Sequence, residues 1–339
     1  MIFNTSDLSR LCLNIGFKIR KKINSMDYKA RASITSSILK GSGSKLSDAE
    51  GEKIIVRALE QFSSEHFIRM GLIIDIVKGE VYWMGDSKSK AVVWAFADPV
   101  DGTIKVAGLG NEGNIYRMGN DGIWAFGIAF TGLTTKSLKE LRIKDFMFSV
   151  IVDGNPMMWP YSPTNAWTLF DGNHTKTFEL SERSTGLHDL NQEIRLYSST
   201  QTNLQQATVC YDAFNAHDRK TADVGAEELS LKIFKSIANR NEKGAFNVVM
   251  IYSNLSCILR ELLGYGSDLF EPQGAAFIVP NENFPNLITI YSIMIGVGGY
   301  VVDFEGNDIG DSLITIKRPN IIYAANETIK NKLVAEFKL

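Results

Sequence analysis

The chain has 339 residues, 45% of them hydrophobic and 22% charged, with a formal net charge of −2 at pH 7. That is ample apolar material for a large core or two packed halves, and so small a charge gives no general attraction to a nucleic-acid polymer or an anionic membrane. Three cysteines (Cys12, Cys210, Cys257) stand far apart with no CxxC and no histidine at ligand spacing, which argues against a disulfide framework or a zinc site and for a reducing compartment.

The elements follow in chain order. Residues 6–23 predict a helix, with Ser6 or Asp7 at its start and apolar residues at roughly helical spacing. Its basic end, Lys18 to Lys22, reads as a solvated helix end that complements the dipole. After the loop Lys40-Gly-Ser-Gly-Ser-Lys45, Ser47-Asp-Ala-Glu50 opens a second helix. Leu72 to Val77 reads as a buried strand with Glu80 just beyond it, at a strand end where functional side chains gather. The aromatic and β-branched run Ala91 to Ala97 predicts another buried strand, closed by a turn at Asp98-Pro-Val-Asp101-Gly-Thr103.

Residues 108–122 read as a long loop that is either a lid or plain disorder. Strands are expected over 123–128, 146–152, 166–169 and 175–180, with Asp-Gly turns at Asp153-Gly154 and Asp171-Gly172. Residues 186–205 read as a polar crossing between halves, and residues 222–239 as a helix. A strand over 246–251 then leads into a helix carrying Leu255 and Ile258. Gly274-Ala-Ala276 before an apolar run predicts a tightly packed helix, with Glu271 in its first turn. Ile293 to Gly299 and Val301 to Gly306 read as glycine-punctuated strands, as does Asn320 to Asn326, and a last helix starts at Glu327. Gly296-Val-Gly-Gly299 lacks the basic residue and helix start of a phosphate loop. The four histidines (His66, His174, His188, His217) neighbour no nucleophile motif and read as surface or structural. No apolar run is long enough to span a bilayer and the first residues carry no secretory pattern, so a cytoplasmic protein is expected.

Asp98-Pro-Val-Asp101-Gly-Thr103 is the chain's most informative stretch. Proline fixes φ and glycine admits unusual φ, so the turn can aim two carboxylates and the intervening Val100 carbonyl at one point. Hard oxygen ligands arranged so suit Mg²⁺, and the Gly102 and Thr103 amides could hold a phosphate. The same residues also make an ordinary acidic β-turn.

The order of features decides between them. A helix and an acidic segment precede Gly79-Glu80 and the Asp98–Thr103 motif. Much later come Glu271 to Val279, Gly298-Gly299-x-Val-Val-Asp303-x-x-Gly306 and Ile321-Ile-Tyr-Ala-Ala-Asn326. This pattern resembles the inositol monophosphatase / fructose-1,6-bisphosphatase superfamily of Mg²⁺-dependent, often lithium-inhibited phosphatases. It extends over most of the chain, with the Asp98–Thr103 motif as its specific part.

The resemblance implies an α+β fold, a layered α-β-α-β-α sandwich of the sugar-phosphatase type. Two halves, 1–190 and 191–339, would pack as one globular unit. It implies that Glu80, Asp98, the Val100 carbonyl, Asp101 and Glu271 bind metal, and that Gly102 and Thr103 bind phosphate. Thr103 and either Asp48 or Glu50 would orient the attacking water. Lys105 either reads a second phosphate or faces solvent. Phe270-Glu271 stands where the family usually has a Trp-Asp pair, and Ile104-Lys105 and residues 264–269 also depart from the family pattern. The implied reaction is Mg²⁺-dependent hydrolysis of a small phosphate monoester (an inositol phosphate, a sugar phosphate or a nucleotide 3′-phosphate) by a metal-activated water. The implied partner is a small phosphorylated metabolite, with no nucleic-acid polymer and no membrane, and a homodimer is compatible with it. The alternative is a catalytically impaired relative that binds a phosphometabolite or a protein partner through the same fold.

Overall fold

Three apolar cores separate five layers of secondary structure. The computed structural model of the chain describes residues 5–26, 30, 33–37, 41–74, 80–101, 124–154, 166–179, 193–194, 199–204, 206–212, 247–250, 255, 258, 274–315 and 318–337. The loop expected over 108–122 and the helix expected over 222–239 lie outside them, as does most of the crossing at 186–205.

The first layer is α1 (Thr5–Asn24) with α2 (Leu46–Glu65), which follows a short hairpin of β1 (Ile34–Ser37) and β2 (Gly41–Lys45). Leu8, Cys12, Ile15, Ile19 and Ile23 recur every three or four residues along α1, and Ile55, Leu59 and Phe62 do so along α2. That spacing puts one apolar stripe of each helix on the second layer.

The second layer is an eight-stranded sheet. Its strands are β3 (Arg69–Ile73), β4 (Tyr82–Gly85), β5 (Val92–Asp101), β6 (Ala125–Thr131), β7 (Phe146–Asp153), β8 (Ala166–Phe170), β9 (Thr175–Glu179) and β10 (Glu193–Ile194), in the order β10-β9-β8-β7-β6-β5-β3-β4. From β5 to β10 it is an antiparallel meander, and β3 joins β5 in parallel. The β8–β9 hairpin turns where Asp171-Gly-Asn173 predicted it: the Asn173 and His174 amides donate to Asp171 Oδ1, and Gly172 takes a φ of 98°.

The third layer contains α3 (Phe284–Gly296), packed on β5, β6 and β7 on one side and β14 on the other. The fourth is a five-stranded sheet ordered β12 (Asn247–Met250), β11 (Thr208–Tyr211), β13 (Gly274–Val279), β15 (Ile321–Ala324) and β14 (Tyr300–Val302). The fifth is α4 (Glu327–Phe337), set on β13, β14 and β15. The layers alternate α-β-α-β-α, the architecture anticipated from the sequence.

Two local readings are corrected. Gly274–Val279 is not a helix but a central strand, parallel to β11 and antiparallel to β15. All six of its residues are buried. A strand covered on both faces reads as a continuous apolar run, which periodicity cannot distinguish from a buried helix. Conversely, Ile293 to Gly296 is not strand but the end of α3, which is apolar all round because a sheet covers each side. The helix start lies at Asn283, whose Oδ1 accepts from the Asn286 amide at 2.9 Å, with proline in the first turn. It stops at Gly298 and Gly299, whose amides return to Ile295 and Met294 carbonyls while Gly298 takes a φ of 78°.

Candidate functional site

β5 does not end in a turn at Ala97; it continues through Pro99 to Asp101 and bulges on the way. Asp98 lies opposite Gly127 and Asp101 opposite Ala125, so three steps along β5 match two along β6. In a regular strand, residues three apart point to opposite faces. The extra residue of the bulge cancels that difference and returns Asp98 and Asp101 to one face. Core packing records the switch: Trp94 and Phe96 face the α3 side, Val93, Ala95 and Ala97 face α1 and α2, and after the bulge Val100 faces α1 and α2. Asp98 Oδ1 accepts from the Val100 amide at 3.2 Å, which ties the bulge together. Gly51 of α2 makes room for it, since a Cβ there would lie 2.8 Å from Pro99 Cβ.

Asp101 points into a buried polar cluster between the two sheets. It is 7% exposed. Its Oδ2 accepts from the Leu255 amide at 2.7 Å and its Oδ1 from Asn286 Nδ2 at 3.1 Å. Gly127 lets Leu255 come this close, because a Cβ there would stand 2.5 Å from Leu255 Cδ1. Asn286, in the first turn of α3, is 1% exposed and its Oδ1 accepts no hydrogen bond.

Just before α3 lies Glu282, fully buried. Its Oε1 accepts from the Asn283 amide at 2.9 Å and its Oε2 from the Tyr323 hydroxyl at 3.1 Å. The Glu282 amide donates to the Pro319 carbonyl and the Asn281 amide to Asn320 Oδ1, so the residues leading into β15 pin this corner. Asn281 has a φ of 50°, a left-handed conformation of the kind that collects at functional sites. Burial pushes the Tyr323 hydroxyl well above the usual tyrosine range, and the charges of Glu282, then Asp101 and Asp212, push it further. Asp212, at the end of β11, is itself 3% exposed. The Tyr323 hydroxyl thus touches one buried carboxylate, Glu282, and feels the charge of two more. Such a group costs several kcal/mol unless a cation or protons offset the charge.

Of the sequence-predicted residues, the structure brings Asp98, Val100 and Asp101 together at the bulge. Asp48 sits in the first turn of α2, 8% exposed. Glu50, half-buried one position on from Ala49, is held by Lys53 Nζ at 2.7 Å and Lys22 Nζ at 3.5 Å. The Lys53 hydrogen bond, ahead of the other contributions, holds its carboxyl below the usual glutamate range. Glu80 is exposed, just ahead of β4. Gly102, Thr103, Lys105 and Glu271 lie outside the described residues. The helix expected over Gly274–Val279 is the strand β13, and the helix start near Asp101 is that of α3, with Glu282 just before it and Asn286 in its first turn. Sequence reasoning missed these two, together with Asp212 and Tyr323. A signal was present in Asn283-Phe-Pro285, a capping residue and a first-turn proline that mark a helix start.

Among the described residues, no three His, Cys, Asp or Glu side chains form a group that could hold a metal ion. The donors that do converge, Asp101 and Asn286 with Glu282 nearby, offer only oxygens, and the buried Asn286 Oδ1 lacks a hydrogen-bond donor. An all-oxygen set with one neutral amide suits Mg²⁺ or Ca²⁺ rather than a softer metal. Also among the described residues, no helix is long and apolar enough to cross a membrane.

By sequence the chain matches no protein-family model and no curated protein. By structure it resembles several solved proteins over nearly its whole length. Fructose-1,6-bisphosphatase of Leishmania major in its holo form superposes with a TM-score of 0.64 at 14% identity, covering 97% of this chain and 92% of that one. The extragenic suppressor protein suhB of Bartonella henselae gives 0.59 at 15% identity, covering 98% of each chain. An inositol monophosphatase of Zymomonas mobilis gives 0.58 at 13% identity, covering 99% of this chain and all of its own. The chain has the inositol monophosphatase / fructose-1,6-bisphosphatase fold. The expected α+β sugar-phosphatase sandwich is the one observed.

Proposed function

We propose that this chain hydrolyses a small phosphate monoester in a Mg²⁺-dependent reaction at the β5 bulge. The observation carrying this reading is the bulge itself, which sets Asp98 and Asp101 on the face where α3 presents Asn286 and Glu282 waits beside Tyr323. Asp98, the Val100 carbonyl, Asp101 and the Asn286 amide oxygen would hold the cation, together with Glu271 from outside the described residues. When bound, Mg²⁺ supplies a Lewis acid that neutralises phosphate charge and makes water a better nucleophile. Gly102 and Thr103 follow Asp101 directly and would hold the phosphate by their amides. Asp48 is the proposed base for the attacking water, chosen over Glu50 because Glu50 faces two ammonium groups. The water oxygen bonds to phosphorus as the ester P–O bond breaks, one water proton passes to the Asp48 carboxylate, and the released ester oxygen takes up a proton from solvent and leaves as the alcohol.

The test is phosphate release from inositol phosphates, sugar phosphates and a nucleoside 3′-phosphate, with Mg²⁺ and with chelator. Release that needs Mg²⁺ and falls about 1,000-fold in Asp101→Asn, roughly 4 kcal/mol of barrier, is the expected result. Absence of release from every ester in the presence of Mg²⁺ would sink it. One observation favours the second reading, a binding protein without turnover: the Asn286 amide donates to Asp101 Oδ1, a place a cation would otherwise take. Phosphate-ester binding without release would select that reading.

A further inference from the structure

We propose that the groove between α1 and α2, away from the β5 bulge, is a second binding site, for a small organic anion with a flat apolar body. The two helices run in opposite directions. Lys22, near the end of α1, meets Glu50, near the start of α2, at 3.5 Å. At the other end of the pair a cavity of about 340 Å³ opens between the start of α1 and the end of α2, within the size range of small-molecule sites. Phe62, on its wall, lies roughly 21 Å along α2 from Asp48 at the helical rise of about 1.5 Å per residue.

The lining selects the ligand. Its floor is apolar, made by Leu11 and Ile15 from α1 with Ala58 and Phe62 from α2. The His66 ring stacks on Phe62 at 4.1 Å and 30°, and its Nδ1 donates to the Phe62 carbonyl at 2.9 Å. Two rings held in this way offer a flat surface for another flat group. At the mouth, Arg10 and Lys18 stand about two turns apart on α1. Both are exposed and, among the described residues, engaged in no ion pair or hydrogen bond. The carboxylates of the groove are answered locally: Glu65 Oε1 accepts from Gln61 Nε2 at 2.7 Å, and Asp7 lies in the first turn of α1, at the positive end of the helix. The charge left to be met is therefore positive.

Phe67, next in the chain to His66, fits the same reading. It is 85% exposed and takes a φ of 52°, a left-handed conformation that is costly for a bulky residue and that glycine usually fills at a helix end. A large ring kept there at that cost, in water beside the groove, suits the covering of an apolar ligand.

The test titrates the whole chain with anilinonaphthalene sulfonate, a dye that carries a single sulfonate on a flat apolar body. Fluorescence is followed with chelator present and below the thermal transition, and thermal melts confirm that each variant folds. The expected result is saturable binding of one dye per chain. Arg10→Glu and Lys18→Glu should each weaken it about tenfold, the loss expected for one charged contact. Lys21→Glu, the same charge change on α1 outside the groove, should leave it near the wild-type value. Ala58→Trp, which fills the groove without touching a charge, should abolish binding. Phe67→Gly should melt higher, because glycine accepts that φ, and yet bind the dye more weakly; unchanged binding there overturns the covering role of the ring. The site itself is overturned by absence of binding in the wild type, by binding that survives Ala58→Trp, or by a loss in Lys21→Glu as large as in Lys18→Glu.

Discussion

The two faces of β5 are built by opposite rules. Toward α1 and α2, Val93, Ala95, Ala97 and Val100 join a core with Ile55, Leu59 and Phe62, and the buried carboxylates on this side, Asp48 and Glu52, come from the start of α2 and not from β5. Toward α3, Trp94 and Phe96 begin the same way, but the row ends in Asp98 and Asp101. One face gains stability from every residue it buries, each large side chain contributing about 1.5–3 kcal/mol. The other gives part of that up to bury carboxylates, which cost free energy unless partnered. The switch takes one inserted residue. The bulge moves Val100 onto the apolar face and Asp101 onto the polar one, so the position of a functional group here is decided by strand register and not by the loop that follows.

Substitutions on the two faces should therefore fail in different ways. Asp101→Asn should lower Mg²⁺-dependent phosphate release about 1,000-fold, roughly 4 kcal/mol, with an unfolding midpoint close to wild type. Leu59→Ala, on the α1/α2 side and fully buried, should cost about 2–5 kcal/mol of stability. Turnover per folded molecule should be retained, as measured by denaturant unfolding alongside the assay. If Leu59→Ala instead abolished turnover in folded protein, the two faces would not be separable. Gly127→Ala lies between the cases. Its new methyl would meet Leu255 at 2.5 Å, costing about 1–3 kcal/mol by overpacking. The displaced Leu255 also carries the amide that holds Asp101, so turnover should fall as well. Loss of stability with full turnover would show that this amide is dispensable.

Much of this contrast could be read from the sequence, and the rest fails for identifiable reasons. The strand that carries Asp98, Val100 and Asp101 was legible from the apolar run Ala91 to Ala97, although the turn expected to close it is a bulge. The helices α1 and α2 were legible because each buries a single stripe with a 3.6-residue period. The inner layers were not. Gly274–Val279 and Ile293–Gly296 exchange the expected strand and helix, since elements covered on both sides lose their periodicity and only their caps distinguish them. Glu282, in the corner just before α3, was not legible as a buried carboxylate for the same reason, and Glu271 lies outside the described residues. Tyr323 was beyond reach for another reason, because nothing local to Ile321-Ile-Tyr-Ala tells that its hydroxyl meets a carboxylate from a different strand-to-helix corner.

The smallest expected effect sharpens the comparison at the start of α2, where Asp48 and Glu50 lie two residues apart. Glu50 accepts from Lys53 and pairs with Lys22 across to α1. Those partners favour its ionised form in the folded protein, so the linkage has the sign of a depressed carboxylate. Its contribution is fully present above the unfolded glutamate value of about 4.3 and is lost as pH falls through the lower folded value. The lysines are 40–47% exposed, so solvent screens the pair and its contribution at neutral pH should stay under about 1 kcal/mol. Denaturant midpoints of wild type and Glu50→Gln, followed from pH 7 down to about 3, should differ slightly at the top of that range and converge at the bottom. A difference that persists undiminished in acid would mean that Glu50 acts through packing and not through its charge, which would remove the reason for preferring Asp48 as the base.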